Sequence, residues 1–216
     1  LETEIPVNKN AQDISVGRER VYLDYGKKEV ITVKQAIEAI CNANAFDAAY
    51  ALAEKIGMNE SGFVAMMNDK AKELGLVNTN YVDSTGVAKM SDGQYSTAND
   101  IVMLSYYLIK NYPDVLTYTN VTMGYFEHTS TGQGKTEMIS SNDLIRRGFY
   151  DACDGLITGY TDEDGYSQSA TATVDGKREI AVVLGVSDQS YRAAELRYLM
   201  EYANENFEYV LLDSAG

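Results

Sequence analysis

Side chains that commonly carry out catalysis are few in this sequence, and their spacing suggests no catalytic centre. The single histidine, His128, lies among threonines, and no serine and aspartate can be assigned to it as partners in a nucleophilic triad. We therefore interpret His128 as a surface residue. Cys41 and Cys153 lack the spacing of metal ligands, and they are either buried free thiols or joined in one disulfide. The sequence predicts neither a metal site nor a cofactor.

A serine followed three residues later by a lysine would offer a nucleophile together with its base. No Ser-x-x-Lys occurs in the chain, and the nearest match is Ser15-Val16-Gly17-Arg18. Because arginine keeps its proton, Arg18 could not act as the base. The 32 acidic residues make carboxylate pairs so frequent that they do not indicate a glycosidase. The residue types alone therefore indicate a soluble domain without assignable chemistry.

Length and composition restrict the kind of protein and its partners. The 216 residues fit a single domain, which we expect to span residues 1–216, and the hydrophobic content of 45% can supply a core. The formal net charge of -14 repels phosphate backbones, which excludes nucleic acid as an expected partner. No apolar run approaches the length of a membrane span.

The sequence predicts several helices that would position any functional residues, and the first of them begins at Thr32. An alanine-rich pattern then continues to Ile56 and is apolar on nearly all sides, which predicts burial on most sides. A break near Asn42–Phe46 is expected, because asparagine favours caps and turns.

Capping residues place three further helices. Ser61 begins one, and Gly75 ends it in a left-handed conformation. Thr97 begins the next, and Pro113 stops it. The last helix runs from about residue 190 to residue 204.

Strand signals are concentrated near the C-terminal end of the chain. Residues 169–174 alternate between polar and apolar side chains, Asp175-Gly176 predicts a two-residue hairpin turn, and residues 180–184 return as a buried strand. Val21–Leu23 is a candidate short strand, as is Ile5–Val7, whereas residues 120–150 are predicted to be irregular. The order of helices, hairpin and helix favours an α+β fold.

Four stretches together resemble the serine D-alanyl-D-alanine carboxypeptidases, the low-molecular-weight penicillin-binding proteins. The match runs almost without gaps from about residue 20 to residue 200, and the resemblance implies an α+β, β-lactamase/transpeptidase-like fold in which an antiparallel sheet packs against helices. The stretches are Thr32–Glu54, Met67–Tyr81, Gly93–Asp100 and Asp154–Gly185.

The chemistry of that family depends on the motifs Ser-x-x-Lys, Ser-x-Asn and Lys-Thr-Gly. The first serine attacks the substrate carbonyl, and the first lysine takes its proton. The second serine and the second lysine relay protons and help to bind the terminal carboxylate of the substrate. The strand of the third motif also supplies a backbone N–H to the oxyanion hole.

This sequence departs from the family at each motif. The Ser-x-Asn position reads Asn44-Ala45-Phe46, and the Lys-Thr-Gly position reads Ile157-Thr158-Gly159, so no intact catalytic residue is expected. The positions that match the family motifs remain candidates for peptide binding. They are Asn44, Phe46, Ile157, Thr158, Gly159 and Thr161.

The resemblance also implies a gap in the fold. The nucleophile helix and two N-terminal strands of the family have no counterpart in this sequence, so the helix at residues 33–56 would face a void. Even one large-to-small core change costs about 2–5 kcal/mol. We therefore expect the chain to be incomplete as a folding unit, or to fill the gap with a preceding segment, a second cleaved piece or a partner protein. A buried central helix within residues 1–31 would overturn this expectation.

Three functional hypotheses follow. The first is a non-catalytic, extracytoplasmic family member that binds peptidoglycan stem peptides or acts as a scaffold, favoured by the replacements at Asn44, Phe46 and Ile157. The second is an active serine D,D-carboxypeptidase whose Ser-x-x-Lys lies upstream. The third is an assembly role, in which the former cleft binds another protein and tyrosines serve as interface anchors.

Overall fold

The computed structural model describes residues 1–88 and 90–208 of the chain. The strands are β1 (Glu4–Pro6), β2 (Val30–Thr32), β3 (Met123–Glu127), β4 (Lys135–Ile139), β5 (Cys153–Thr161), β6 (Gly165–Val174) and β7 (Lys177–Val186). The α-helices are α1 (Lys9–Ile14), α2 (Val33–Ala43), α3 (Phe46–Gly57), α4 (Glu60–Glu73), α5 (Ala98–Asn111), α6 (Val115–Thr119), α7 (Asp143–Arg146) and α8 (Gln189–Asn206).

Every sheet in the described residues is antiparallel. Strand β1 pairs with β2, β3 pairs with β4, and β5, β6 and β7 form a three-stranded sheet in that order. Asp175 and Gly176, both with positive φ, form the turn between β6 and β7, which confirms the predicted hairpin.

Helices cover both faces of the three-stranded sheet. Successive side chains of a strand point to opposite sides, so neighbouring residues of β6 contact different helices. On one face, Ala170 and Ala172 pack with Leu196 of α8. On the other face, the Ser169 hydroxyl lies 2.8 Å from that of Ser105 in α5. The arrangement confirms the predicted α+β fold, with an antiparallel sheet packed against helices.

The predicted break in the alanine-rich helix is confirmed. Thr32 begins α2 with a capping box, in which its side chain accepts from the N–H of Gln35 and the Gln35 side chain accepts from the N–H of Thr32. Asn44, with φ of 49°, ends α2 in the left-handed conformation, which asparagine tolerates better than most residues. Helix α3 then begins at Phe46.

The other predicted helix ends agree with the structure except at the start of α4 and the end of α8. Asn59, rather than Ser61, caps α4, and its side chain accepts a hydrogen bond of 2.8 Å from the N–H of Gly62. Gly75, with positive φ, follows the end of α4 as predicted. Thr97 caps α5, and α8 extends two residues beyond its predicted end.

The candidate strand at Val21–Leu23 is wrong. Instead of pairing with a strand, the N–H groups of Val21 and Leu23 donate to the buried Asp47 carboxylate at 3.2 and 3.0 Å. Burial raises the pKa of Asp47, and these backbone donors oppose the shift. The segment therefore stays extended because a carboxylate at the start of α3, and not a sheet, binds its backbone.

No buried central helix forms within residues 1–31, whose α-helix is the six-residue α1 with Ala11 as its buried residue. Ile5, Val7, Val21 and Leu23 instead pack against one side of α2 and α3. These four side chains therefore contribute to a core shared with α2 and α3.

Residues 120–150 are not irregular throughout, because β3 and β4 form a hairpin there. The interpretation of His128 as a surface residue is also wrong, since it is 5% exposed. Its Nδ1 lies 2.6 Å from Oε1 of Glu29, and its Nε2 lies 2.9 Å from the Thr136 hydroxyl. These contacts attach the hairpin to the segment before β2.

Within the described residues, no helix is both long enough and apolar enough to cross a bilayer. The same residues contain no group of three histidine, cysteine, aspartate or glutamate side chains placed to hold a metal ion. Cys41 and Cys153 are free thiols, so the alternative of a disulfide between them is not realised.

Candidate functional site

A cleft of about 500 Å³ lies where α2 and α3 meet β5 and α8. Its wall also includes the loop at residues 84–86 and Ser141, which follows β4. Five of the six candidate positions line it, namely Asn44, Phe46, Ile157, Thr158 and Gly159. The fold thus brings together residues that are more than a hundred positions apart in the sequence.

Asn44 joins the helical side of the cleft to the sheet. Its left-handed backbone turns the side chain toward β5, where the amide nitrogen donates to the Thr158 hydroxyl at 2.8 Å and to the Thr158 carbonyl at 3.2 Å. The same nitrogen donates to the Ser141 hydroxyl at 3.1 Å, and the Ser141 and Thr158 hydroxyls are themselves hydrogen-bonded. Where the family has a serine, Asn44 therefore acts as a bridge between three segments.

Arg192 is a cation in the cleft wall that sequence reasoning missed. Its side chain is 2% exposed, its Nη2 donates to the Ser141 carbonyl at 2.8 Å, and its guanidinium lies 5.9 Å from the centre of the Tyr166 ring. Burial lowers the pKa of the Arg192 guanidinium, and the neighbouring Asp143 carboxylate opposes that shift. A signal existed, because Arg192 lies four residues before Leu196, on the apolar face of α8.

Apolar side chains occupy the positions where the family motifs are polar. Ile157, on β5, is 42% exposed and lies beside the cleft. Phe46, at the first turn of α3, is half-buried and forms another part of the wall, together with Ile40. An isoleucine and a phenylalanine can neither transfer a proton nor bind an anion by charge.

The outer edge of β5 remains open to the cleft beyond Thr158. The Thr158 carbonyl faces Asn44 and hence points away from β6, and in an antiparallel ladder the residue two positions on, Tyr160, points its backbone N–H and carbonyl the same way. Stacking of the Tyr160 and Tyr166 rings, with centroids 4.3 Å apart, agrees with this close, non-hydrogen-bonded pairing. The edge therefore offers main-chain groups to a ligand.

Thr161 does not line the cleft. Its hydroxyl accepts from the N–H of Asp164 and donates to the Asp164 carboxylate, both at 2.8 Å, which closes the turn between β5 and β6. Thr161 instead borders a second cavity of about 580 Å³, which shares Gly86, Gly159 and Tyr160 with the cleft.

The described lining of the cleft offers hydroxyls but no lysine or histidine. Ser84, Thr85, Ser141 and Thr158 are present, but no lysine or histidine lies among the described lining residues. A hydroxyl becomes a useful nucleophile only beside a group that takes its proton. The arrangement is suited to binding through hydrogen bonds and apolar contact.

Comparison with known proteins gives consistent results. The family described as D-alanyl-D-alanine carboxypeptidase matches residues 2–188. D-alanyl-D-alanine carboxypeptidase DacF of Bacillus subtilis is 36% identical over 194 residues, which are 90% of this chain and 48% of that protein. The corresponding DacA of Escherichia coli is 31% identical over 180 residues, 83% of this chain and 42% of that protein. The chain thus spans about half the length of these relatives.

Solved structures share the fold. The D-alanyl-D-alanine carboxypeptidase DacD of Francisella tularensis superposes with a TM-score of 0.88 at 26% identity, over 98% of this chain and 60% of that one. The Streptomyces K15 DD-transpeptidase superposes with a TM-score of 0.85 at 25% identity, over 95% of this chain and 80% of that one. The family match across most of the chain and these shared folds lead to one conclusion: the chain belongs to the D-alanyl-D-alanine carboxypeptidase family.

Proposed function

We propose that this chain is a catalytically degenerate penicillin-binding-protein-like homologue of peptidoglycan metabolism, which acts outside the cytoplasmic membrane by binding or scaffolding. The observation that carries the proposal is Ile157, which takes the place of the lysine in Lys-Thr-Gly and is exposed in the cleft. A positioned proton-transfer group commonly contributes about 10²–10⁴-fold in rate, and isoleucine supplies none.

The Ser-x-Asn position supports the same conclusion. Asn44 has neither a hydroxyl nor a free amide nitrogen, because that nitrogen donates to Thr158 and Ser141. Phe46 replaces the motif's asparagine with an apolar ring. Restoring one position would leave the other without its polar group, so we propose that Ile157→Lys alone restores no activity.

The ligand we propose is a peptide, such as a peptidoglycan stem, laid along the open edge of β5. Main-chain groups of Tyr160 would bond to it as a neighbouring strand would, and Gly159 adds no side chain beside them. This mode of binding needs no nucleophile. The candidate binding positions are Asn44, Phe46, Ile157, Thr158, Gly159 and Thr161.

A partner protein is the alternative occupant. Ile40 and Ala49 present apolar surface of α2 and α3 to the cleft, which also suits an inserted segment that completes the fold. We treat residues 1–216 as one domain in either case.

The test is the intact mass of the native-length protein before and after incubation with a penicillin, with an active D-alanyl-D-alanine carboxypeptidase as the positive control. We expect no mass shift, and no release of D-alanine from a D-Ala-D-Ala peptide at high protein concentration. A shift by one drug mass would show a serine nucleophile in the native protein, and the proposal would give way to an active serine D,D-carboxypeptidase. The Ile157→Lys variant should give the same negative result.

A further inference from the structure

The charge of the cleft offers little to an anionic ligand. Among the described lining residues, the formal charges are those of Glu19 and Arg192, which cancel. Arg192 is 2% exposed, its Nη2 is bonded to Ser141, and the whole chain carries a formal net charge of -14. Among the described lining residues, a carboxylate entering the cleft would lose its hydration without meeting an exposed cation.

The surface beside β5 is apolar at Ile157, the position where the family has the lysine that helps to bind a ligand carboxylate. Ile157 is 42% exposed, so a ligand alongside β5 would contact its side chain, and Phe46 and Ile40 extend the apolar surface. Apolar contact there favours an uncharged ligand, because burial of apolar surface is favourable, whereas a charged group meets no exposed partner among the described lining residues.

The cleft is not closed beyond Ile157, so its shape does not require that the ligand chain end there. The cleft of about 500 Å³ and the second cavity of about 580 Å³ share Gly86, Gly159 and Tyr160, so one groove continues past Tyr160. Beyond that residue the wall includes Tyr95, Ile101 and Leu184. An extended peptide can therefore continue along the groove past Tyr160.

From these three observations we infer that the groove takes an uncharged, mid-chain stretch of extended peptide, with an apolar side chain against Ile157, and discriminates against a C-terminal carboxylate. This inference rests on the proposed peptide-binding function and specifies its ligand. Ile157 is then a specificity-determining residue.

The experiment compares three fluorescein-labelled peptides by fluorescence anisotropy with the native-length protein. They are Lys-D-Ala-D-Ala as the free acid, the same peptide as its C-terminal amide, and the same peptide extended by two apolar residues with an amide end. We expect the amide and the extended peptide to bind at least about tenfold more tightly than the free acid. The reason is that the carboxylate of the free acid would be desolvated without gaining a hydrogen-bonding partner.

Two variants test whether Ile157 causes the preference for the uncharged peptides. Ile157→Lys should reduce or reverse it, because the ammonium would meet the carboxylate. Ile139→Lys is the matched control, because Ile139 is 52% exposed on β4 and is not among the lining residues, so the preference should persist. Equal or tighter binding of the free acid to the unaltered protein would overturn the inference while supporting peptide binding. Failure of all three peptides to bind would overturn both the inference and the proposed peptide binding.

Discussion

The side-chain amide nitrogen of Asn44 lies 2.8 Å from the Thr158 hydroxyl and 3.2 Å from the Thr158 carbonyl, which links residues 114 positions apart. Thr158 is 8% exposed, so its carbonyl has little access to water as a substitute donor. The contact therefore contributes to stability as well as to the shape of the cleft.

Replacing Asn44 with glycine should destabilise the protein by about 1–3 kcal/mol, because a buried carbonyl loses its donor while the left-handed backbone is retained without strain. Asn44→Ala should cost about 1 kcal/mol more, since alanine also resists the left-handed conformation. Urea unfolding of the two variants measures both effects. Equal stability of the glycine variant and the unaltered protein would contradict the structural role of the amide.

Ile157→Lys should change the free energy of unfolding by no more than about 0.5 kcal/mol, because the side chain is 42% exposed on an edge strand. Thermal denaturation of the variant checks this. A large loss of stability would mean that Ile157 is part of the core, and it would make the variant unsuitable for tests of binding.

The Glu29–His128 pair should be one of the more sensitive points of the fold. Glu29 is 1% exposed, and besides His128 it accepts a hydrogen bond of 2.8 Å from the N–H of Asp24. Glu29→Leu should cost about 3–5 kcal/mol in unfolding free energy, as when one partner of a buried pair is removed.

The matched control for that change is Glu127→Leu, because Glu127 forms an ion pair with Lys135 in which both side chains are more than half exposed. Exposed pairs contribute about 0–1 kcal/mol, so this variant should be nearly as stable as the unaltered protein. Similar losses in the two variants, measured by urea unfolding, would argue against a special role for Glu29.

Both cysteines should be present as unreactive thiols. Burial raises the pKa of Cys41 to about 11, and burial also raises the pKa of Cys153. At pH 8 the thiolate fraction of Cys41 is then on the order of one in a thousand, so reaction with an aromatic disulfide reagent should be slow in the native state. After denaturation without reductant, two thiols per chain should react. Detection of none would indicate a disulfide.

Asp188 should make stability depend on pH in the acid range. Its side chain caps α8, and hydrogen bonds from the Ser190 hydroxyl and backbone N–H hold the pKa of Asp188 below its ordinary value of 3.8. Because the pKa is lower in the folded state, this stabilisation is fully present above the unfolded value and is lost as pH falls through the folded one.

Asp188→Asn keeps a capping oxygen and removes the titration. The difference in unfolding midpoint between the unaltered protein and this variant should therefore be constant near neutral pH and shrink below about pH 4. A difference that does not change with pH would show that the Asp188 charge does not contribute.

The sequence was sufficient for elements whose signals are local. The break at Asn44, the caps at Thr32 and Thr97, and the turn at Asp175-Gly176 depend on residues within a few positions of each other. The family motifs likewise placed Asn44 and Ile157 in one cleft.

Features that depend on distant partners could not be predicted in this way. His128 is buried because Glu29, 99 positions earlier, lies beside it, and Val21 stays extended because Asp47 binds its N–H. Ser141 contributes to the cleft through contacts with Arg192 and Thr158, which no short sequence pattern indicates. Tertiary hydrogen bonds, rather than propensity, determine these three regions.

The bridge made by Asn44 also bears on how such a protein can change over generations. A serine at position 44 would restore the first residue of Ser-x-Asn, but its shorter side chain would leave the Thr158 carbonyl and the Ser141 hydroxyl without the amide that now serves both. Under the proposed function, this first step back toward catalysis would thus lower stability without yet yielding activity, since Phe46 and Ile157 would remain. We expect this cost to make the proposed loss of function hard to reverse by successive single substitutions.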